Sequence, residues 1–189
     1  VKLSPYRATL NLAVNTVWTL RVRRLAMLRF IKAHGTQAGL VYVRTRRTAE
    51  ELAKWLKSQG FSVEAYHGGL ASVFRRRIEA NWLAGHCQFV VCTSAFGMGI
   101  NHPTVRWVCH FHAPSTLSEY VQEIGRGGRD GKAADALTLI SEPTGRLDSE
   151  DKQRWLFFAE SERKLRRKAK QLVKSLSAAG HIDEVLQRN

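Results

Sequence analysis

Acidic side chains are scarce in this sequence, and their scarcity is uneven. The chain has 16 Asp and Glu residues against 30 Lys and Arg residues, a formal net charge of +14 at pH 7, and no acidic residue before Glu50, whereas ten basic residues precede it. Such an excess of positive charge favours a polyanionic partner. A basic surface that faces an acidic neighbouring domain is the alternative, and charge alone does not choose between them.

Cysteine and long apolar runs are also scarce. The three cysteines, Cys87, Cys92 and Cys109, show no CxxC spacing, which favours a reducing compartment without disulfides. We expect Cys92 and Cys109 to be core thiols, and we expect no metal site. No apolar run approaches the roughly 18 residues of a membrane span, so we expect a soluble protein without a membrane partner. The chain begins at Val1 without a signal-peptide pattern, which indicates an excised fragment.

Strand-like and helix-like apolar patterns alternate over about the first 143 residues. The patterns predict strands at 10–14, 39–43, 61–66, 88–92, 105–111 and 135–140. They predict helices at 21–34, 48–60, 74–82 and 115–124, the second of which follows the capping-box pattern Thr48-Ala-Glu-Glu51. Strands that alternate with helices predict an α/β fold whose parallel sheet is flanked by helices on both faces.

The pattern changes near Leu147, which divides the chain into a domain at 1–146 and an appendage or linker at 147–189. Asp148 can cap a long, basic amphipathic helix with apolar residues at heptad-like intervals. Its basic run at 163–168 could contact DNA, or it could be a solvated face opposite a packed seam.

Loops at the carboxyl ends of parallel strands carry the candidate binding groups. Arg44, Thr45, Arg46 and Arg47 offer guanidinium and hydroxyl donors beside a helix start, which suits phosphate oxygens, although a plain solvent-facing loop remains open. After the strand at 88–92 comes a loop of small and hydroxyl residues that lets backbone amides approach a phosphate, although a simple turn also explains it. Its candidate residues are Thr93, Gly97, Gly99 and Asn101.

The stretch QEIGRGGRDG (122–131) ends a predicted helix with four glycines around Arg126 and Arg129. Glycine weakens a helix by up to about 1 kcal/mol at each position, so helix stability does not explain this composition. Glycines leave room for a partner surface, and the two arginines can then present planar guanidinium groups to phosphate oxygens or carboxylates. We interpret the stretch as an arginine-finger element for a transferring phosphoryl group. A purely structural role, in which the arginines complement the helix dipole, is the alternative.

Four segments together resemble the motifs of the second RecA-like lobe of RecQ-family DNA helicases. They are LVYVRTRRTAE (40–50), AYHGGL (65–70), VVCTSAFGMGINHPTVRWVCHF (90–111) and QEIGRGGRDG (122–131). The resemblance spans about residues 7–143 and implies a RecA-like lobe of an ATP-dependent motor that moves 3′ to 5′ on single-stranded DNA. It further implies ATP with Mg²⁺ held mainly by a first RecA-like lobe. A bacterial location at the cytoplasmic nucleoid, or a nuclear one in a eukaryote, is expected.

The resemblance also implies roles for individual residues. Arg129 resembles the arginine finger on the γ-phosphate, and Arg126 resembles its partner in the same cleft. The residues implied to contact or couple to the nucleotide are Gly97, Gly99, Asn101, Gln122, Gly125 and Asp130. The residues implied to contact the nucleic acid are Thr45, Arg46, His67 and Thr93.

The sequence departs from the family pattern at several positions. Gly127 stands for the usual Ala between the arginines, Gly69 for another usual Ala, and His112 for a common acidic residue. Many relatives carry a four-cysteine zinc module after this lobe, yet no cysteine follows Cys109, so no zinc is expected in this chain.

The sequence contains neither a GxxxxGK[ST] phosphate loop nor an Asp-Glu-x-His motif. We therefore expect the chain alone to be inactive and to complete a motor whose first lobe supplies those groups. A non-enzymatic nucleic-acid-binding or annealing module is the alternative from another class. An RNA helicase lobe is the alternative among enzymes.

Overall fold

The computed structural model describes residues 9–96 and 102–142, together with the single residues Asp151, Arg163, Arg167, Lys168 and Gln171. Gly97, Gly99 and Asn101 lie outside the described residues. The predicted boundary between 1–146 and 147–189 also lies outside the described residues. So does the predicted C-terminal helix, apart from those single positions.

Six parallel strands form one sheet in the order β1-β6-β5-β2-β4-β3. The strands are β1 (Leu10–Val17), β2 (Gly39–Tyr42), β3 (Val63–Tyr66), β4 (Phe89–Cys92), β5 (Trp107–His110) and β6 (Ala134–Ser141). The helices are α1 (Leu20–Ala33), α2 (Arg46–Ser58), α3 (Ser72–Leu83) and α4 (Leu117–Ile124). The predicted α/β fold with a helix-flanked parallel sheet is confirmed.

Two apolar layers bury the faces of the central strands. On one face, Met27 of α1 and Leu52 of α2 pack with Val41 and Val91 of the sheet. On the other face, the buried residues of α3 pack with Leu40 and Val90. Strands buried on both faces need continuous apolar sequence, which explains why LVY and FVVC carry no polar alternation. All three cysteines are buried free thiols.

Threonines begin three of the helices α1 to α4. The hydroxyls of Thr19, Thr45 and Thr116 each accept a hydrogen bond from a backbone N–H in the first turn of α1, α2 and α4. The predicted start of α2 at a Thr48 capping box is therefore wrong. Thr45 reaches the Thr48 amide at 3.0 Å, and Glu51 pairs with Arg47 instead of reaching back to a cap.

Candidate nucleotide and nucleic-acid site

The loops after four neighbouring strands meet at one edge of the sheet. Tyr42 lies opposite Cys92 on one side and His110 on the other, and Cys92 lies opposite Tyr66. Each is the last residue of its strand, so the loops that follow emerge side by side. This edge brings together the residues that the sequence predicted to contact nucleic acid. They are Thr45, Arg46, His67 and Thr93.

A buried histidine shapes the turn after β3. The His67 side chain is 5% exposed, its Nε2 lies 2.9 Å from Glu50 Oε1, and its Nδ1 accepts a hydrogen bond from the Gly69 amide at 3.2 Å. Because Nδ1 accepts, the ring proton lies on Nε2 and is donated to the carboxylate. Both ring nitrogens of His67 are thus engaged inside the protein, and the residue orders the turn.

Arg46 lies against this turn from the start of α2. A methyl group built on Gly69 would sit 2.9 Å from Arg46 Nη1, so the glycine that replaces the usual alanine leaves room for the guanidinium. The Arg46 side chain is exposed, whereas Thr93 is half-buried and donates its amide to the Tyr66 carbonyl at 3.2 Å. The Arg46 guanidinium is therefore accessible at this edge, where the backbone at Thr93 is held by its hydrogen bond to Tyr66.

Arg44 joins the same edge to a buried charge cluster. Its amide donates to His112 Nδ1 at 3.2 Å, and its Nη2 lies 3.1 Å from Asp151 Oδ1. The other oxygen of Asp151 accepts from Arg23 Nη2 at 3.0 Å and from the Ser141 amide at 2.7 Å. Burial alone would raise the pKa of the Asp151 carboxyl, but the Arg23 charge and the Ser141 donors outweigh it and hold this pKa below its usual value.

Arg126 and Arg129 follow α4 in a compact turn. Gly125 is the C-cap of α4, and Gly128, at φ +61°, donates its amide to the Val105 carbonyl at 2.9 Å. Arg126 is half-buried, whereas Arg129 is exposed and donates Nε–H to the Gly125 carbonyl at 3.3 Å. The glycines thus fold the chain tightly and leave the Arg129 guanidinium accessible.

Buried polar groups lie at the ends of β2 and β5 and on α4. His110 is stacked on Tyr42 with ring centroids 5.6 Å apart, and its Nε2 is 3.0 Å from Glu123 Oε2. Burial raises the pKa of the Tyr42 hydroxyl and of the Cys92 thiol, and the Arg126 charge opposes both shifts. Burial likewise raises the pKa of the Glu123 carboxyl, which His110 and Arg126 partly lower. The Arg126 charge therefore favours the ionised forms of Tyr42, Cys92 and Glu123 against the effect of burial.

The other predicted nucleotide contacts are placed differently. Gln122 is exposed on α4, and Gly125 occupies the cap that separates α4 from the turn. Asp130 is exposed and forms an ion pair with Arg106, whose hydrogen bond lowers the pKa of the Asp130 carboxyl, so this carboxylate holds the turn at the protein surface.

The described side chains fit an anionic phosphate better than a metal ion. Arg126 and Arg129 supply guanidinium donors that match phosphate oxygens. Among residues 9–96, 102–142 and the isolated described positions, no group of three or more His, Cys, Asp or Glu side chains is placed to hold a metal ion. The helices in this part of the chain include none that is long and apolar enough to cross a membrane.

A family comparison decides what this arrangement belongs to. The model of the helicase conserved C-terminal domain matches residues 22–131, more than half of the chain, including every described site residue. The chain belongs to this family. The chain is also 45% identical over 184 residues to the ATP-dependent DNA helicase RecQ of Synechocystis, covering 97% of this chain and 38% of that protein. The predicted RecQ resemblance is confirmed, and the chain spans about two fifths of that relative.

One further relative and two solved structures are similar to this chain. A probable ATP-dependent DNA helicase RecS of Bacillus subtilis is 45% identical over 102 residues, which cover 53% of this chain and 21% of RecS. A DEAD box protein from Methanococcus jannaschii has a TM-score of 0.66 at 26% identity, covering 78% of this chain and 40% of that chain. The helicase Lhr of Mycobacterium smegmatis, solved with ssDNA and AMP-PNP, shares the fold at a TM-score of 0.61 and 24% identity, covering 72% of this chain and 20% of Lhr.

Sequence reasoning missed several buried polar residues of this chain, and four of them form charge or hydrogen-bond pairs near the site. They are Arg23, Asp151, His110 and Glu123. A signal for Arg23 was available, because Arg23, Met27 and Ile31 are spaced four residues apart and therefore share the buried stripe of α1. His110 within an apolar strand was a comparable signal for a buried polar partner.

Proposed function

We propose that this chain is the second motor lobe of an ATP-dependent 3′–5′ DNA helicase. The observation that carries the proposal is the pairing of two sites on one lobe. The turn after α4 offers Arg126 and Arg129, and the carboxyl edge of the sheet offers Arg46 beside Thr45 and Thr93. The first site suits phosphoryl oxygens and the second suits a phosphate backbone.

Arg129 is the finger in this proposal. Its guanidinium stabilises negative charge that develops on the transferring phosphoryl group, and Arg126 presents a second fork to the same phosphates. ATP with Mg²⁺, held mainly by a first RecA-like lobe, supplies the phosphoryl chemistry. Closure of the two lobes brings the arginines to the nucleotide, and release reopens the cleft, which moves the chain along single-stranded DNA during unwinding.

The test uses the longer chain that carries this sequence with a phosphate-loop lobe. DNA-stimulated ATP hydrolysis is measured for the wild type and for Arg129→Ala, with nucleotide binding measured in parallel. We expect hydrolysis to fall by about three orders of magnitude or more while ATP still binds. The control is Arg29→Ala, an exposed arginine of α1, which should keep the wild-type rate.

An unchanged rate in Arg129→Ala would reject the motor proposal. Nucleic-acid binding that persists in that case would favour the non-enzymatic module. Stimulation of the wild type by RNA but not by DNA would instead favour an RNA helicase lobe. Purified on its own, the 189-residue chain should show no hydrolysis.

A further inference from the structure

The outer face of α3 combines a large apolar ring with basic side chains. Phe74 is 47% exposed and Val73 is 62% exposed, and Arg76 and Arg77 on the same helix are also exposed. These four side chains, which we call the α3 patch, lie away from the buried residues that pack α3 against the sheet. Aromatic residues and arginine are enriched at protein interfaces, so the patch has the composition of a binding surface.

The sequence around the α3 patch is poor in acids. Between Ala65 and Ser118 it has one acidic residue, Glu79. The Tyr66 hydroxyl donates to Glu79 Oε1 at 2.6 Å, and Glu79 is half-buried, so this carboxylate is engaged inside the protein. The positive charge of the α3 patch is therefore complementary to an anionic partner.

The Phe74 ring and the Arg77 guanidinium lie against each other. The guanidinium carbon is 5.3 Å from the ring centroid, within the range of a cation–π contact. A single-stranded nucleic acid uses both groups, because its bases stack on aromatic rings and its phosphates bind guanidinium groups. In a duplex the bases are already stacked on one another, and an acidic protein segment would satisfy the arginines alone. The patch therefore favours a single strand.

The α3 patch begins one short turn from the carboxyl edge of the sheet. Arg46 lies against Gly69, and α3 starts at Ser72, three residues later. Three residues span at most about 11 Å even when fully extended. The turn is compact, because the Leu70 amide donates to the His67 carbonyl at 3.1 Å. A single strand that is bound at Arg46 can therefore continue onto α3.

We propose that the α3 patch is a second contact for single-stranded nucleic acid, in which Phe74 stacks on a base while Arg76 and Arg77 bind neighbouring phosphates. The inference rests on the proposed function and deepens it, because it extends the bound strand from the sheet edge onto the surface of a helix. The strand then runs from Arg46 across the exposed face of α3.

The deciding variants are Phe74→Leu and Phe74→Tyr in the longer chain that carries this sequence. Leucine keeps the apolar bulk but removes the ring, whereas tyrosine keeps the ring. Fluorescence anisotropy with a labelled oligothymidylate should show that Phe74→Leu raises Kd by about tenfold and that Phe74→Tyr changes it little. An abasic strand of the same length should bind equally to the wild type and to Phe74→Leu, because it has no base to stack on the ring.

Arg76→Gln and Arg77→Gln test the phosphate contacts. Each should raise Kd for the oligothymidylate and reduce the slope of log Kd against log salt concentration by about 0.7. The matched control is Arg29→Gln, an exposed arginine of α1, which packs on the opposite face of the sheet. This control should keep the wild-type Kd and slope, and all of the variants should keep the wild-type thermal midpoint because the altered side chains are exposed.

A wild-type Kd for oligothymidylate in Phe74→Leu would overturn the inference. An equal loss of affinity for the abasic strand would also overturn it, because the ring would then not act by stacking. Unchanged strand binding together with weaker binding of polyglutamate by Arg76→Gln would identify a surface for acidic proteins instead. The proposed function fails separately, because it requires Arg129→Ala to slow ATP hydrolysis while single-stranded DNA remains bound.

Discussion

Arg23 is a fully buried arginine on a helix face otherwise packed with apolar side chains. Its guanidinium donates to the carbonyls of Phe111 and Leu139, to the Ser141 hydroxyl and to Asp151. The Asp151 carboxylate thus pairs with the Arg23 charge and also binds Arg44. Because a buried cation without its partner is far more costly than a broken surface pair, this single acid contributes strongly to stability.

Asp151→Asn should lower the free energy of unfolding by about 3 kcal/mol at pH 7, since it removes the buried negative charge that pairs with Arg23. The folded-state pKa of Asp151 lies below its unfolded value, so its contribution is present above the unfolded value of 3.8 and is lost as pH falls through the folded pKa. Urea unfolding measures the free energy of unfolding at both pH values. The difference in this free energy between wild type and variant should be smaller at pH 3 than at pH 7.

Asp135→Asn is the matched control for that experiment. Asp135 pairs with His34 at 2.8 Å, but its side chain is 43% exposed, so its loss should cost less than about 1 kcal/mol. If Asp151→Asn lost as little free energy of unfolding as Asp135→Asn, the buried-pair explanation would be contradicted. An equally large loss at pH 7 and pH 3 would also contradict it.

The turn at 125–131 shows how an element follows from local sequence. Gly128 has φ +61°, and a methyl group built on it would lie 2.5 Å from the Lys132 carbonyl oxygen. Gly131 also has positive φ, at +83°, but nothing lies within 4 Å of its added methyl. Gly127 has ordinary φ, and its methyl would lie 3.0 Å from the Ala134 Cβ. These three glycines therefore carry different constraints, although the sequence pattern presents them alike.

Alanine substitutions at these three glycines should therefore differ in how much folding stability they cost. Gly128→Ala combines left-handed strain with a backbone clash and should cost about 3 kcal/mol, whereas Gly131→Ala carries only the strain of about 1–2 kcal/mol. Gly127→Ala should cost least, since a small shift of Ala134 relieves its contact. Thermal or urea unfolding of the three variants checks this order. Equal losses at 128 and 131 would show that the Lys132 carbonyl yields easily.

At the scale of the whole molecule, the excess of positive charge should control binding. If single-stranded DNA lies along the carboxyl edge through its phosphates, affinity should fall steeply between 50 and 200 mM salt and depend little on base sequence. Fluorescence anisotropy of a labelled oligonucleotide measures this slope. A peptide nucleic acid of the same sequence, which has an uncharged backbone, is the control and should not bind. Salt-independent affinity for DNA would refute a phosphate-based grip.

The sequence predicted all six strands and four helices, but it could not predict which strands are neighbours. Apolar runs such as LVYV and FVVC report burial on two faces and carry no information about order. The arginine turn was predictable because its glycines and arginines are contiguous. The cluster of Arg23 with Asp151 was not, since its residues are distant in sequence and meet only because β1 pairs with β6. The pair of His110 with Glu123 was not either, since it depends on how α4 packs against the end of β5.

The pairing of β1 with β6 joins the beginning of the described sheet to its end. Asn11 hydrogen-bonds to Asp135, which is 124 residues further along the chain. Arg23 likewise pairs with Asp151, a residue that is synthesised much later. A ribosome adding about 5–20 residues per second needs roughly 6–25 s to cover that separation. During synthesis β1, with Leu12 and Val14 exposed even in the finished sheet, remains an unpaired strand open to chaperones or to a neighbouring nascent chain.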